Sequence, residues 1–186
     1  MKQIVHKGFW DYEKEEKWLN EMSARGLAMT DCAWFRYSFE ETLKNEYIYR
    51  IELLDNMPNH PESMSYIRFL EESGVECISS YDRWIYLRKK SSEGPFDIYT
   101  DIHSKLMHYK RIKYIWGSLM WVEFSVAAVF IIMASIGIIS SRKFDIPTNY
   151  FAVGGLNLLA GLLFFKLGLP IRKKIRRLKK EKVFTE

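Results

Sequence analysis

The chain has 186 residues and a formal net charge of +5, room for one ordinary domain and an appendage but not for several domains. Its mean hydropathy of -0.20 averages two unlike parts: charges crowd residues 1–115 and 172–186, and the stretch between them is mostly apolar. Eight Lys or Arg residues lie between Arg172 and Lys182. A basic run beside an apolar segment faces anionic lipid headgroups more often than nucleic acid, so direct nucleic-acid binding is not expected.

Met1 to Trp10 has no apolar core of signal-peptide length, which keeps the expected N-terminal domain in the cytosol. Residues 3–9 read as a short strand. Asp11 offers an N-cap, and Glu13, Glu15 and Glu16 suit a helix N-terminus. Trp18, Leu19 and Met22 recur at helical spacing, and Gly26 ends the helix. From Ala33 the period becomes two: Ala33, Phe35, Tyr37 and Phe39 share one face, Trp34, Arg36 and Ser38 the other. Tyr47 to Leu53 alternates likewise, and the polar residues Glu40 to Glu46 join the two strands as a hairpin.

Pro58, His60 and Pro61 mark a loop. A second helix follows from about Glu62 to Ser73, with Met64, Ile67 and Leu70 inward and Gly74 as its stop. Val75–Ser80 and Arg83–Lys89 form the last strand pair. The order β-α-β-β-α-β-β predicts an α+β domain over residues 1–92. It is an antiparallel sheet with two packed helices, in a ferredoxin-like or related two-half arrangement. The halves share no clear sequence identity, so internal duplication stays open.

Residues 93–115 read as a juxtamembrane amphipathic helix with a stripe of Ile98, Ile102, Leu106, Tyr109 and Ile112. The stripe could dock on the sheet, lie along the membrane or pair with a partner. Two spans follow, at 116–140 and 150–169, each long enough to cross a hydrocarbon core of about 20 residues. Residues 141–149 make a short extracytoplasmic loop, and 170–186 a basic cytosolic tail. Lys105, Lys110, Arg111 and Lys113 precede the first span and the basic run follows the second, so both termini are expected in the cytosol of a two-span cell-membrane protein. In the tail, Arg172, Lys173, Lys174, Arg176, Arg177, Lys179 and Lys180 are the expected headgroup contacts. Glu123 is the sole acid within the spans. It comes early in the first run and is expected near the cytosolic interface. Gly161 and Gly168 lie on roughly one helix face and suit packing within the hairpin, with homodimerisation as the sharper alternative.

Motifs for chemistry are sparse. Cys32 and Cys77 form no CxxC pair and read as reduced, buried thiols. His6, His60, His103 and His108 form no metal-binding pattern. Asp101, His103 and Ser104 crowd one helix turn and point apart, so they do not make a triad. No phosphate-binding glycine loop occurs. No cofactor is expected, and an enzyme is the least favoured class. Aromatic residues are 16% of the chain. Trp34 with Arg36, and Trp84 and Tyr86 with Arg88, would share strand faces and could form a platform for an amphipathic ligand or a partner's apolar segment.

Glu15-Glu-Lys-Trp-Leu-Asn-Glu-Met-Ser-Ala-Arg-Gly26 resembles the hallmark of a bacterial family, domain of unknown function 2812. Tyr37 with Phe39, Tyr49-Arg-Ile51, Gly74-Val-Glu76, Trp84 through Lys89 and Ile98 through Lys105 extend the resemblance over about residues 5 to 112. Leu27 and Val75 stand where that family commonly has tryptophan. The resemblance implies a membrane-anchored protein, often encoded beside PadR-like transcriptional regulators, and supplies no catalytic residues. The leading expectation is a regulatory module that binds a protein partner, such as a transcriptional regulator or transporter, at the inner membrane face. The alternative is a small-molecule or lipid sensor that uses the aromatic sheet face.

Overall fold

The computed structural model describes residues 2–99, 101–140 and 148–185. It divides at Asp101 into an α+β unit and a unit of two long helices. The α+β unit runs β1 (Lys2–His6), α1 (Tyr12–Ala24), β2 (Leu27–Ala33), β3 (Arg36–Glu41), β4 (Tyr47–Leu53), α2 (Pro61–Glu72), β5 (Glu76–Tyr81) and β6 (Trp84–Lys90). The expected fold class holds, with two corrections. Leu27–Ala33 is an additional strand, and the strands form two three-stranded antiparallel sheets, β1-β3-β2 and β4-β6-β5, rather than one. Consequently β3 and β4 are not a hairpin. β3 pairs with β1 and β2, and β4 pairs with β6.

The order is one β-α-β-β unit used twice, and the irregularities repeat with it. Both helices end at a left-handed glycine, Gly26 (φ 82°) and Gly74 (φ 83°), where a Cβ would be strained. Both second strands carry a bulge, at Thr30 and at Ile78. Both hairpin turns open on a non-glycine residue with positive φ, Trp34 (52°) and Asp82 (53°). Each pair is 48 positions apart in the sequence. Shared topology, bulge and turn geometry at a constant offset define an internal repeat that side-chain identity does not display.

The halves meet through β2 and β5: Ser79 Oγ donates to the Cys32 carbonyl at 2.8 Å. Helix α1 starts at the N-cap Asp11, whose side chain accepts from the Glu13 amide at 3.1 Å. It buries Leu19 and Met22 among Met29, Tyr37, Phe39, Tyr49, Ile51 and Tyr86, residues of both halves. Its next stripe, Glu16, Asn20 and Ser23, is polar and does not face water. Asn20 exchanges two hydrogen bonds with the Tyr49 backbone, at 3.1 and 2.9 Å. Glu16 accepts from the Ile51 amide at 3.1 Å, and the Ser23 hydroxyl donates to the Tyr47 carbonyl at 2.7 Å. These side chains satisfy the outer edge of β4, which would otherwise be an open template for another strand. Helix α2 covers the other face of the second sheet: Leu70 packs with Val75, Ile85, Leu87 and Phe96. Because Phe96 belongs to this core and Ile98 packs against it, the domain extends beyond residue 92, to Asp101, and the helix expected over 93–115 begins only at Ile102.

In the second unit, α3 (Ile102–Ser140) and α4 (Thr148–Thr185) are continuous helices long and apolar enough to cross a membrane. The chain therefore has two candidate membrane-spanning helices. Of the expected loop at residues 141–149, residues 141–147 lie outside the described residues, and Thr148 and Asn149 already belong to α4. The helices pack antiparallel along Gly154, Gly161 and Gly168, a seven-residue repeat on one face. Gly161 lies so close under the Phe124 ring that any side chain would overlap it, and Gly168 faces the Trp116 Cβ. Each helix of about 38 residues is roughly 57 Å long at 1.5 Å per residue, nearly twice a hydrocarbon core. The basic tail is thus helical, and it packs as one half of a two-helix stalk through buried Ile171 and Ile175.

Candidate functional site

The two hairpin turns come together at one end of the sheets. The Trp34 ring packs against Tyr81 at a tilt of 58° with centroids 5.5 Å apart, and Phe35 sits 6.3 Å from Trp34. Trp34 is 70% exposed and Phe35 53%. Phe35 is pinned from below: its carbonyl accepts from the Lys7 amide at 2.8 Å, and its ring lies on Gly8, where a Cβ would approach to 3.0 Å. A bulky residue in the left-handed region costs about 1–2 kcal/mol. Folding gains little in return here, because the Trp34 side chain is left in water. An exposed aromatic cluster held in a strained turn is the pattern of a contact surface.

The five residues of the expected platform do not share one open face. Trp34 and Arg36 lie at the hairpin tip, where Arg36 pairs with Asp31 at 3.5 Å. Trp84 opens β6 and leans on Tyr12, with ring centroids 5.6 Å apart. Tyr86 is buried. Arg88 pairs with Glu76 at 2.6 Å, donates to the Met29 carbonyl at 3.2 Å, and lies 4.3 Å from the Tyr47 ring centre. Trp84, Tyr86 and Arg88 do share a strand face, but α1 and the first sheet cover much of it.

Under that cover is a carboxylate expected from sequence to serve a helix N-terminus and to open the Glu15–Gly26 motif, and not expected in the core. Glu15 is 8% exposed. One of its oxygens accepts from Tyr37 at 2.6 Å and from Tyr86 at 2.8 Å, one tyrosine from each half. Burial raises the Glu15 carboxyl above its ordinary range, against the opposing pull of the two hydroxyls. Burial and Glu15 together push both tyrosines up as well. Trp18 and Phe9 flank Tyr37, with Trp18 4.9 Å from it. The signal was available: Glu15, Leu19 and Met22 fall at i, i+4 and i+7, on the stripe that faces the core.

The thiols of Cys32 and Cys77 are free, and burial pushes both up to about 11, so neither is an activated nucleophile. An open cleft of about 560 Å³ lies beside Gly74 among Glu71, Glu76, Lys90 and Glu93, with Glu76 already engaged by Arg88. Among the described residues no group of His, Cys, Asp or Glu could hold a metal ion.

Fold and site together define a class: a duplicated β-α-β-β domain with an exposed aromatic hairpin tip, followed by a hairpin of two apolar helices. The family model described as "Protein of unknown function (DUF2812)" matches residues 11–121, and the chain belongs to that family. No curated protein and no solved structure matches the chain.

Proposed function

We propose that this protein is a membrane-anchored, non-enzymatic binding module. Its α+β domain lies on the cytosolic side and takes an apolar segment of a protein partner on the Trp34–Phe35–Tyr81 tip. One observation carries the reading: Trp34 is held in a left-handed turn, packed at a tilt against Tyr81 and exposed. The charge balance favours a protein over the bilayer as occupant. Residues 1–101 hold thirteen Lys and Arg against nineteen Asp and Glu, so an anionic leaflet repels this domain. The basic residues gather instead in the stalk, which supports cytosolic termini. A regulator of transcription and a transporter are the partner classes the sequence suggests, with a PadR-like regulator as the one the family resemblance points to. The test is affinity capture with the full chain from native membranes. Trp34→Ala with Tyr81→Ala loses a partner that wild type retains, while a Leu43→Ala control elsewhere on the surface keeps it. Equal capture by all three rejects the tip.

A second reading, a sensor of amphipathic small molecules, rests on Glu15 at the seam with Tyr37, Tyr86 and the Tyr12–Trp84 ring pair around it. Thermal shifts induced by cationic amphiphiles and lost in Glu15→Gln support it. Shifts that are the same in both proteins reject it.

A further inference from the structure

We infer that Glu123 is a docking point inside the membrane for a partner's transmembrane helix that carries a lysine or arginine at the same depth. The inference rests on α3 and α4 crossing the bilayer.

Packing of the two helices fixes the depth. Gly154 meets the Ala127 carbonyl and Phe130, Gly161 meets Phe124, and Gly168 meets Trp116. This antiparallel ladder sets Glu123 level with Ala160 and Gly161, inside the apolar run of α4. The cytosolic boundary is marked by Lys113 on α3 and Arg172 on α4, with Tyr114 and Trp116 just within it. Glu123 lies seven positions beyond Trp116, where the first span begins, about 10 Å along the axis at 1.5 Å per residue, or a third of a roughly 30 Å hydrocarbon core. On that count Glu123 stands deeper than the interfacial position expected from its early place in the run.

At this level Glu123 is half-buried and has no hydrogen bond or ion pair among the described residues. The neighbouring polar groups are occupied on their own helices. Ser125 donates to the Trp121 carbonyl at 2.8 Å, and Asn157 to the Val153 carbonyl at 2.9 Å. A carboxyl group in hydrocarbon without a partner is costly, and such groups are retained where they pair. The chain offers no cation of its own at this depth: no Lys or Arg occurs from Tyr114 to Ser140 or from Thr148 to Phe165. Lys166 lies about 8 Å nearer the cytosolic boundary, within reach of the headgroups. A second copy therefore brings no cation level with Glu123, whereas a foreign span can. The neighbouring outer face of α3 is open for one, with Trp121 and Val122 exposed and apolar.

The test uses the full chain in phosphatidylcholine liposomes and two labelled probe helices. One is a leucine-rich span with a single central lysine, and the other has leucine there. Energy transfer reports association. The wild-type chain binds the lysine probe about tenfold more tightly than the leucine probe. Glu123→Gln brings the two to parity, and Glu123→Asp keeps the preference. Equal binding of both probes by wild type overturns the inference. So does a Glu123→Gln variant that loses self-association and leaves probe binding unchanged, because the acid then serves a second copy. Flotation separates the underlying reading: a chain that does not float with the liposomes contradicts membrane crossing itself.

Discussion

Trp34 and Tyr81 join the two halves of the domain at their tips, their rings tilted 58° with centroids 5.5 Å apart, across two turns that share one backbone irregularity. Trp34 bears the strain of that geometry while its side chain stands in solvent. Trp34→Gly removes the strain and little buried area. The variant is expected to be as stable as wild type or up to about 1 kcal/mol more stable, and to lose partner binding. Chemical denaturation beside a binding assay checks both. A loss of several kcal/mol would show that Trp34 is a structural residue.

Asn20 serves the edge of β4 through two backbone hydrogen bonds at 3.1 and 2.9 Å. Asn20→Ala leaves the Tyr49 amide unmatched, while the Tyr49 carbonyl keeps its bond from the Arg50 guanidinium at 2.9 Å, and should cost about 1–2 kcal/mol. Denaturant titration measures it. A cost near zero would mean that water replaces the side chain and the edge is effectively open.

The repeat makes a paired prediction at its two glycines. Both sit in the left-handed region, so alanine is strained at each. At Gly26 the new Cβ also meets the Thr42 backbone carbonyl at 2.9 Å, whereas at Gly74 it meets the movable Glu93 carboxylate at 3.0 Å. Gly74→Ala should cost about 1–2 kcal/mol, and Gly26→Ala clearly more. Equal melting temperatures for the two variants would refute the difference.

Much of this plan was legible in the sequence. Asp11, Gly26, Gly74 and the alternation in β4 and β6 marked their elements by ordinary local chemistry. Strand β2 was missed because Leu27–Ala33 lacks a clean alternation and its bulge at Thr30 shifts the period midway. The alternation from Ala33 to Phe39 then ran through a turn, because no composition rule flags tryptophan at positive φ. Glu16 was read only as an acid suited to a helix N-terminus, and only the tertiary structure shows that the stripe Glu16, Asn20 and Ser23 meets a strand edge. Of the candidate site, Trp34 was named from sequence. Tyr81 was not, since its role depends on two distant turns meeting. Glu123 was noticed, but that it stands level with Ala160 and Gly161, away from any cation of α4, follows from helix register, which a single run of residues does not contain.

Burial raises the carboxyls of Glu15 and Glu16 above the ordinary 4.5. Between that value and the raised ones, the folded domain binds more protons than the unfolded chain. Their contribution is therefore fully present below about 4.5 and is lost as pH rises through the raised values. Glu15→Gln removes the Glu15 share, so its melting temperature should fall less than that of wild type between acid and neutral pH. Thermal unfolding followed by tryptophan fluorescence measures this, and identical slopes would show that Glu15 titrates normally.

The most direct measurement of the central claim is photo-crosslinking in living membranes, with a benzophenone amino acid placed at position 34 and, separately, at the exposed Leu43. The account predicts one discrete protein adduct from position 34 that Tyr81→Ala abolishes, and none of that mass from position 43. The same adduct from both positions, or lipid alone from position 34, would contradict it.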